Sequence, residues 1–220
     1  MGSDREATKA ATRPELFVAE LPEVAQDIEG FLGSQLEIGR ALDADALLDQ
    51  WPRAFAEMLH AFAGLDPATR VPWYGPAMSP TSFVTARLME YWAHGQDIAD
   101  GLGIARTPTD RLRHVCDLGV RTYAFAHLVR GLAVPKARPR ITLEAPGGGT
   151  PGGRMWEWGS GPDAIEGPAL DFALRVTQRR HRDDTALVAT GPLADAWLDI
   201  AQCFAGPPGP GRPSTRVDRP

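Results

Sequence analysis

The hydrophobic spacing of this chain changes near residue 135, and that change constrains its fold more than any other feature. Before it, apolar residues recur at helical intervals; after it, they alternate with polar residues over 140–145 and 155–159. Helical spacing buries one stripe of a helix, whereas alternation buries one face of a strand. The sequence therefore predicts an α+β protein, with a helical bundle followed by a small mixed α/β domain.

Caps, prolines and glycines predict where the helices of the first part begin and end. A helical stretch over 14–38 is expected to break at Pro22 and Gly33. Asp43 is expected to cap a helix that ends near Gly64. Ser79 and the proline after it open the next predicted helix. The other predicted elements are helices over 80–101, 107–131, 168–180 and 192–204 and strands over 140–145, 155–159 and 186–189.

The length of 220 residues fits two small domains, because single domains commonly span about 100–150 residues. We place the boundary near residue 104, which gives a helical domain over 1–104 and an α/β domain over 105–206. The segment 207–220 is rich in proline and glycine, so it is predicted to be a disordered tail.

Composition narrows the classes of partner. The formal net charge of −5 gives no basic surface for nucleic acid or for an anionic membrane. No apolar run approaches the roughly 18 residues of a membrane span, and the start lacks a signal peptide, so we expect a cytoplasmic protein. Cys116 and Cys203 have no nearby cysteine partner in sequence, which predicts reduced, buried side chains that are not nucleophiles.

One predicted helix carries the chemistry. Arg87, Glu90, His94 and Asp97 follow at intervals of three, four and three, so they share one face. A carboxylate and an imidazole one turn apart can bind the same divalent ion. Catalytic zinc takes three protein ligands, so a further ligand must come from elsewhere. The alternative is a solvated salt-bridge face that stabilises the helix only slightly.

The same helix carries a family resemblance. The runs Val71-Pro-Trp-Tyr-Gly-Pro-Ala-Met-Ser79 and Thr85-Ala-Arg-Leu-Met-Glu-Tyr-Trp-Ala-His-Gly-Gln-Asp97 resemble actinobacterial metal-binding proteins. These proteins fall within the DinB-like, mycothiol-dependent maleylpyruvate isomerase superfamily. The similarity continues through 109–114, 167–172, 178–181 and 197–202 to 205–212, so it covers nearly the whole chain.

The resemblance implies a DinB-like helical bundle whose divalent metal is held by an early histidine and a later E-x-x-x-H pair. Here that pair is Glu90 and His94, with Asp97 expected to hold the second ring nitrogen of the histidine. A mixed histidine and carboxylate site suits zinc, iron and nickel alike, and zinc is the metal we expect first. The resemblance also implies mycothiol as the thiol that the metal activates. Its partners would be that thiol and a small acidic substrate, with isomerisation or transfer as the reaction, and a homo-oligomer is also considered.

This sequence departs from the family at its start. The segment that resembles Gly-Trp-Thr-Val-Arg-Asp-Gln-x-Ala-His-Leu, which supplies the early histidine, is absent. We expect it to be encoded upstream of Met1. Without it, the helices that start near Asp43 and Pro80 would expose apolar faces and need a partner chain, and His60 would be a substitute ligand.

Other interpretations remain open. The chain could be a non-catalytic binding or interaction module that keeps the fold and has lost full metal coordination. A zinc-binding anti-sigma regulator is disfavoured, because it would need a C-x-x-C pair. Structural roles are the ordinary expectation for His114 and His127. The basic cluster over 179–182 is expected to lie at a helix end, where the helix dipole favours positive charge.

Overall fold

The computed structural model describes residues 1–147, 153–209 and 211–215. Its compact units are Met1–Val84 and Thr85–Pro220. The first is helical, and the second adds a four-stranded sheet, which confirms the predicted α+β class. The units divide inside the helix that carries Glu90 and His94, whereas the sequence places the boundary after that helix.

The first unit is built from helices around an aromatic core. Phe17 stacks on Trp73, with ring centroids 5.5 Å apart, and Trp73 and Phe83 form a T-shaped pair with centroids 4.8 Å apart. The loop that carries Trp73 is closed by backbone hydrogen bonds between Val71 and Met78 of 2.8 and 3.0 Å. The helices of this part are α1 (Gly2–Thr12), α2 (Pro14–Gln26), α3 (Ile28–Arg40), α4 (Ala44–Ala63) and the start of α5 (Pro80–Leu102).

Side-chain caps decide two of these boundaries. Asp43 accepts a hydrogen bond of 2.7 Å from the backbone of Ala46, which confirms the predicted cap of α4. The predicted breaks at Pro22 and Gly33 are wrong, since both residues lie inside helices. The break falls at Asp27 instead, because its carboxylate accepts from the backbone of Gly30 at 2.8 Å and starts a new helix. Helix α1 was not predicted.

Helices α3 and α4 expose much of their apolar surface. No residue of α3 is buried, and the apolar residues beside the buried stripe of α4 are also exposed. Within residues 28–63, nine large apolar side chains are exposed: Ile28, Leu32, Leu36, Ile38, Leu47, Leu48, Trp51, Phe55 and Leu59.

The second unit packs helices on a mixed sheet. Its elements after α5 are α6 (Leu112–Arg121), α7 (Tyr123–Leu128), β1 (Arg140–Glu144), β2 (Met155–Trp158), β3 (Ala164–Pro168), α8 (Ala169–Val176), a 3-10 turn (Arg182–Asp184), β4 (Val188–Thr190) and α9 (Pro192–Ile200). The strand order is β2-β1-β3-β4, and only the β1–β3 pair is parallel. Tyr123, Ile141, Phe172 and Trp197 lie fully buried in the core.

Some predicted elements of this unit need correction. The predicted strands β1 and β2 are present and pair antiparallel, with Ile141 opposite Trp158. Strand β3 was missed, and the helix predicted over 168–180 is shorter, ending at Val176. The helix predicted over 107–131 begins at Leu112 and is interrupted at Thr122, whose hydroxyl bonds back to the carbonyls of Leu118 and Gly119.

Part of the predicted tail makes defined contacts. Residues 210 and 216–220 lie outside the described chain. Arg212 contacts Asp97 and Asp100, while the carboxylate of Asp184 accepts hydrogen bonds from Ser214 and Thr215. The described residues from 211 to 215 are therefore fixed to the second unit by polar contacts rather than by apolar burial.

Both cysteines are buried free thiols, as the sequence predicts. Burial raises the pKa of Cys116 and of Cys203 well above the ordinary thiol value. Both thiols are therefore protonated near neutral pH. No helix in the described ranges combines the length and apolar character needed to cross a membrane.

The crossing of α6 and α8 supplies a test of this packing. A Cβ at Gly119 would lie 2.9 Å from both methyl carbons of the buried Val176, so Gly119→Ala should destabilise the second unit by about 1–3 kcal/mol. The control is Gly101→Ala, because a Cβ at that helical position meets nothing within 4 Å and should be neutral or stabilising. Urea unfolding measures both, and equal midpoints would refute the close packing.

Candidate metal centre

The candidate centre lies on the exposed side of α5. The helix starts at Pro80, where the hydroxyl oxygen of Ser79 accepts a hydrogen bond of 3.3 Å from the backbone of Ser82. This confirms the predicted start. Glu90, His94 and Asp97 then lie one turn apart in succession, and the structure brings their side chains together as their spacing predicts.

His94 is held between two carboxylates. Its Nε2 atom lies 3.3 Å from Oε2 of Glu90, and its Nδ1 atom lies 3.4 Å from Oδ2 of Asp97. The imidazole is 66% exposed, whereas the side chains of Glu90 and Asp97 are 34% and 37% exposed. The cluster is thus open to solvent on the histidine side, where a ligand from outside can reach it.

The contact shifts the pKa values of both partners. The hydrogen bond to Glu90 raises the pKa of His94, although partial burial opposes this shift. Burial raises the pKa of Glu90, but the hydrogen bond and charge of His94, together with Arg87 and Arg179, outweigh burial and lower it. The shifts agree in direction and favour a carboxylate beside an imidazolium. A divalent ion that binds here must displace the imidazolium proton.

Two arginines that follow the C-terminal end of α8 pair with acidic residues of α5. Arg179 donates to both oxygens of Asp97 at 3.2 and 2.9 Å, and Arg180 donates to both oxygens of Asp100 at 2.6 and 2.8 Å. Such two-point contacts between opposite charges fix the orientation of the carboxylate. Arg212 also contacts Asp100 at 3.2 Å and Asp97 at 3.5 Å.

The end of α8 explains why these arginines leave the helix. Gln178 has a positive φ of 60°, and its backbone N–H donates to the carbonyl of Arg175 while that of Arg179 donates to Leu174. This is the hydrogen-bond pattern of a Schellman cap, which turns the chain sharply out of the helix. The basic cluster, which the sequence places at a helix end, therefore follows the last turn of α8, and its first two arginines pair with acidic residues of α5.

The remaining histidines have other surroundings. His127 is buried, and its Nδ1 atom lies 2.8 Å from the carbonyl oxygen of Tyr123. His181 accepts from the backbone of Asp183 at 3.2 Å, and His114 is exposed on α6. His60 lies on α4 in the first unit. Throughout 1–147, 153–209 and 211–215, no group of three or more His, Cys, Asp and Glu side chains is arranged to hold a metal ion.

The Glu90–His94 pair nevertheless has suitable spacing for two ligands of a tetrahedral ion. Two donor atoms bound to zinc at about 2.0–2.1 Å lie roughly 3.3–3.4 Å from each other. The carboxylate oxygen and ring nitrogen are 3.3 Å apart. Oxygen and imidazole nitrogen also form a donor set that suits a divalent ion. The described residues thus fit two ligand positions and leave the third unfilled.

Comparisons with known proteins agree with the motifs. The family described as mycothiol maleylpyruvate isomerase N-terminal domain matches residues 1–99. Two relatives from Mycobacterium tuberculosis are each 38% identical over 212 residues, which cover 96% of this chain and 80% of the relative. They are the uncharacterized proteins MT0041 (strain CDC 1551 / Oshkosh) and Rv0036c (strain ATCC 25618 / H37Rv).

No solved structure gives a significant match to the chain. The relatives nevertheless match almost all of its length, and the family match spans α1 to most of α5, including Glu90 and His94. The chain belongs to the DinB-like, mycothiol-dependent maleylpyruvate isomerase superfamily.

Proposed function

We propose that this chain binds a divalent metal, with zinc as the first choice, through Glu90 and His94. In this proposal the site serves a small thiol, mycothiol in the family, which reacts with a small acidic substrate by isomerisation or transfer. The observation that carries the proposal is the 3.3 Å contact between the two residues of the family's E-x-x-x-H pair on one face of α5.

The chain's own residues have distinct roles in this scheme. Glu90 and His94 hold the ion, which when bound lowers the pKa of a coordinated thiol and makes it a stronger nucleophile near neutral pH. Asp97 positions the imidazole by contacting its other ring nitrogen. Arg179 in turn fixes Asp97, and its own position is held by a 2.7 Å hydrogen bond to the carbonyl of Thr177.

The thiol in the proposed reaction comes from outside the chain. Cys116 and Cys203 are buried and have raised pKa values, so neither offers a reactive thiolate. The exposed imidazole of His94 leaves room for an external thiol at the pair. We include a cytoplasmic location in the proposal, because reduced thiols persist in that compartment.

A second candidate function is a non-catalytic module of the same fold. It is favoured by one specific observation, namely that the described residues supply no third ligand. In this alternative the contacts of His94 with Glu90 and Asp97 are only a surface ion-pair cluster, which contributes a fraction of a kcal/mol. Metal analysis of freshly purified protein, compared with the Glu90→Ala, His94→Ala double variant, separates the two functions.

We predict that His94→Ala lowers zinc occupancy at least about tenfold, because it removes a proposed ligand. Helical content should stay unchanged, since His94 is largely exposed. Elemental analysis after dialysis and circular dichroism provide the measurements. The matched control is His114→Ala, which removes an exposed histidine from α6. Equal occupancy in wild type and His94→Ala protein would refute the metal assignment.

We also predict that Asp97→Asn weakens zinc binding roughly 10- to 100-fold while both proposed ligands remain, because the amide orients the imidazole less well. Competition with a chromogenic chelator gives the affinity. Asp195→Asn is the control, since it also removes a carboxylate paired with an arginine, but one that lies on α9. If the two variants bound zinc equally well, Asp97 would have no positioning role.

A further inference from the structure

A cavity of about 430 Å³ lies in the second unit, at the C-terminal end of α5. We call it the α5-end cavity. It is lined by residues from 99–105, from the turn after α8 and from 212–215. Its volume falls within the roughly 300–1,000 Å³ of sites that hold small molecules. Its apolar lining consists of Ala99, Ile104, Ala105 and Pro213.

Two carboxylates line this cavity, and the chain itself already occupies most of their acceptor positions. Asp100 accepts hydrogen bonds of 2.6 and 2.8 Å from Arg180 and one of 2.8 Å from Gln96. Asp184 accepts from the backbone and the hydroxyl of Thr215 at 2.8 and 2.9 Å. An ionised carboxylate has about four acceptor positions. Both carboxylates therefore have little capacity left for a ligand that donates hydrogen bonds, such as an amine.

Arg212, which also lines the cavity, has donors to spare. It contacts Asp100 at 3.2 Å and Asp97 at 3.5 Å, which are long distances for hydrogen bonds. Each of these carboxylates is already bound at two points by another arginine, Arg180 or Arg179. A guanidinium group has five N–H donors, and the side chain of Arg212 is 45% exposed. Arg212 is therefore an additional cation that can bind a further anion.

The surroundings of Arg212 hold it in place and add another donor. Asp184 accepts a 3.1 Å hydrogen bond from the hydroxyl of Ser214, which fixes the chain next to Arg212. His181 also lines the cavity, and its Nδ1 atom accepts from the backbone of Asp183 at 3.2 Å. The proton of the neutral imidazole then lies on Nε2, which can donate to a ligand. Donors that are fixed before binding reduce the entropy cost of binding.

We propose that the α5-end cavity binds a small organic acid, with the carboxylate of the acid on Arg212 and its carbon skeleton against Ile104 and Pro213. A carboxylate matches the two-point geometry of a guanidinium group. Asp97 contacts both Arg212, at 3.5 Å, and Nδ1 of His94, at 3.4 Å, so the cavity lies beside the candidate metal centre. As the binding site of the acidic substrate, the cavity rests on the proposed function, although binding of the acid requires no metal.

Titration of the full chain with fumarate, as purified and after removal of metal by a chelator, tests the proposal. We expect saturable binding in calorimetry, with a dissociation constant of about 1 mM or below in both preparations. The backbone amide signals of Ile104 and Thr215 should shift in nuclear magnetic resonance spectra. Fumaramide has the same carbon skeleton without the charges, and it should bind at least about tenfold more weakly.

The arginine variants assign the binding to the cavity. Arg212→Gln should raise the dissociation constant for fumarate at least about tenfold, and Arg212→Lys, which keeps the charge without the two-point geometry, should restore part of the affinity. The matched control is Arg121→Gln, because Arg121 is 60% exposed and contacts a carboxylate, that of Asp117, at 3.8 Å. It should bind fumarate as the wild type does. Circular dichroism checks that each variant keeps the fold.

Four results overturn the proposal: a wild type that does not bind fumarate, equal affinity for fumaramide, unchanged affinity in Arg212→Gln, or an equal loss in Arg121→Gln. Binding that disappears when the metal is removed also overturns it, because the acid would then be bound by the metal. Fumarate binding by a chain that takes up no zinc supports the cavity and refutes the proposed metal function, so the two failures are distinguishable.

Discussion

The pairing of acidic residues on α5 with arginines after α8 is the interaction on which the arrangement of the candidate site depends. Asp97 and Asp100 each accept two hydrogen bonds from one guanidinium group. The hydrogen bonds from Arg180 keep the pKa of Asp100 well below its usual range, against the opposing effect of burial. Because Asp97 also contacts His94, the arginine pairing extends to the imidazole and fixes one side of the candidate metal centre.

The sequence predicts the local half of this site and misses the distant half. Spacing along one helix is enough to place Glu90, His94 and Asp97 together, since that geometry follows from the helix alone. Arg179 lies 82 residues from Asp97, and no periodicity connects them. The turn that redirects Arg179 depends on Gln178 in a left-handed conformation, which glycine adopts far more readily. A sequence search for glycine at the helix end would therefore overlook it.

The elements of the fold also divide into those that the local sequence predicts and those that depend on distant contacts. Regular alternation predicts β1 and β2, whose residues pair directly, whereas β3 lacks a full alternating pattern and is specified by its parallel pairing with β1. The breaks expected at Pro22 and Gly33 fail, since the helices continue through both residues. The chain breaks at Asp27 instead, where the carboxylate satisfies a backbone donor at the start of α3.

The metal-binding function and the non-catalytic module differ in what lies between Oε2 of Glu90 and Nε2 of His94. In the ion pair, a proton on Nε2 bridges to the carboxylate, and solvent screening makes this contact weak. A divalent ion in that position would replace one positive charge by two, next to the carboxylates of Glu90 and Asp97. Because the ion pair is weak, replacing it with a bound metal ion costs little. The affinity for the metal therefore depends chiefly on the ligand positions that Glu90 and His94 leave open. Two protein ligands leave more coordination positions to water, thiol or substrate than three do. The affinity for the metal, rather than the geometry of the pair, therefore distinguishes the metal-binding function from the non-catalytic module.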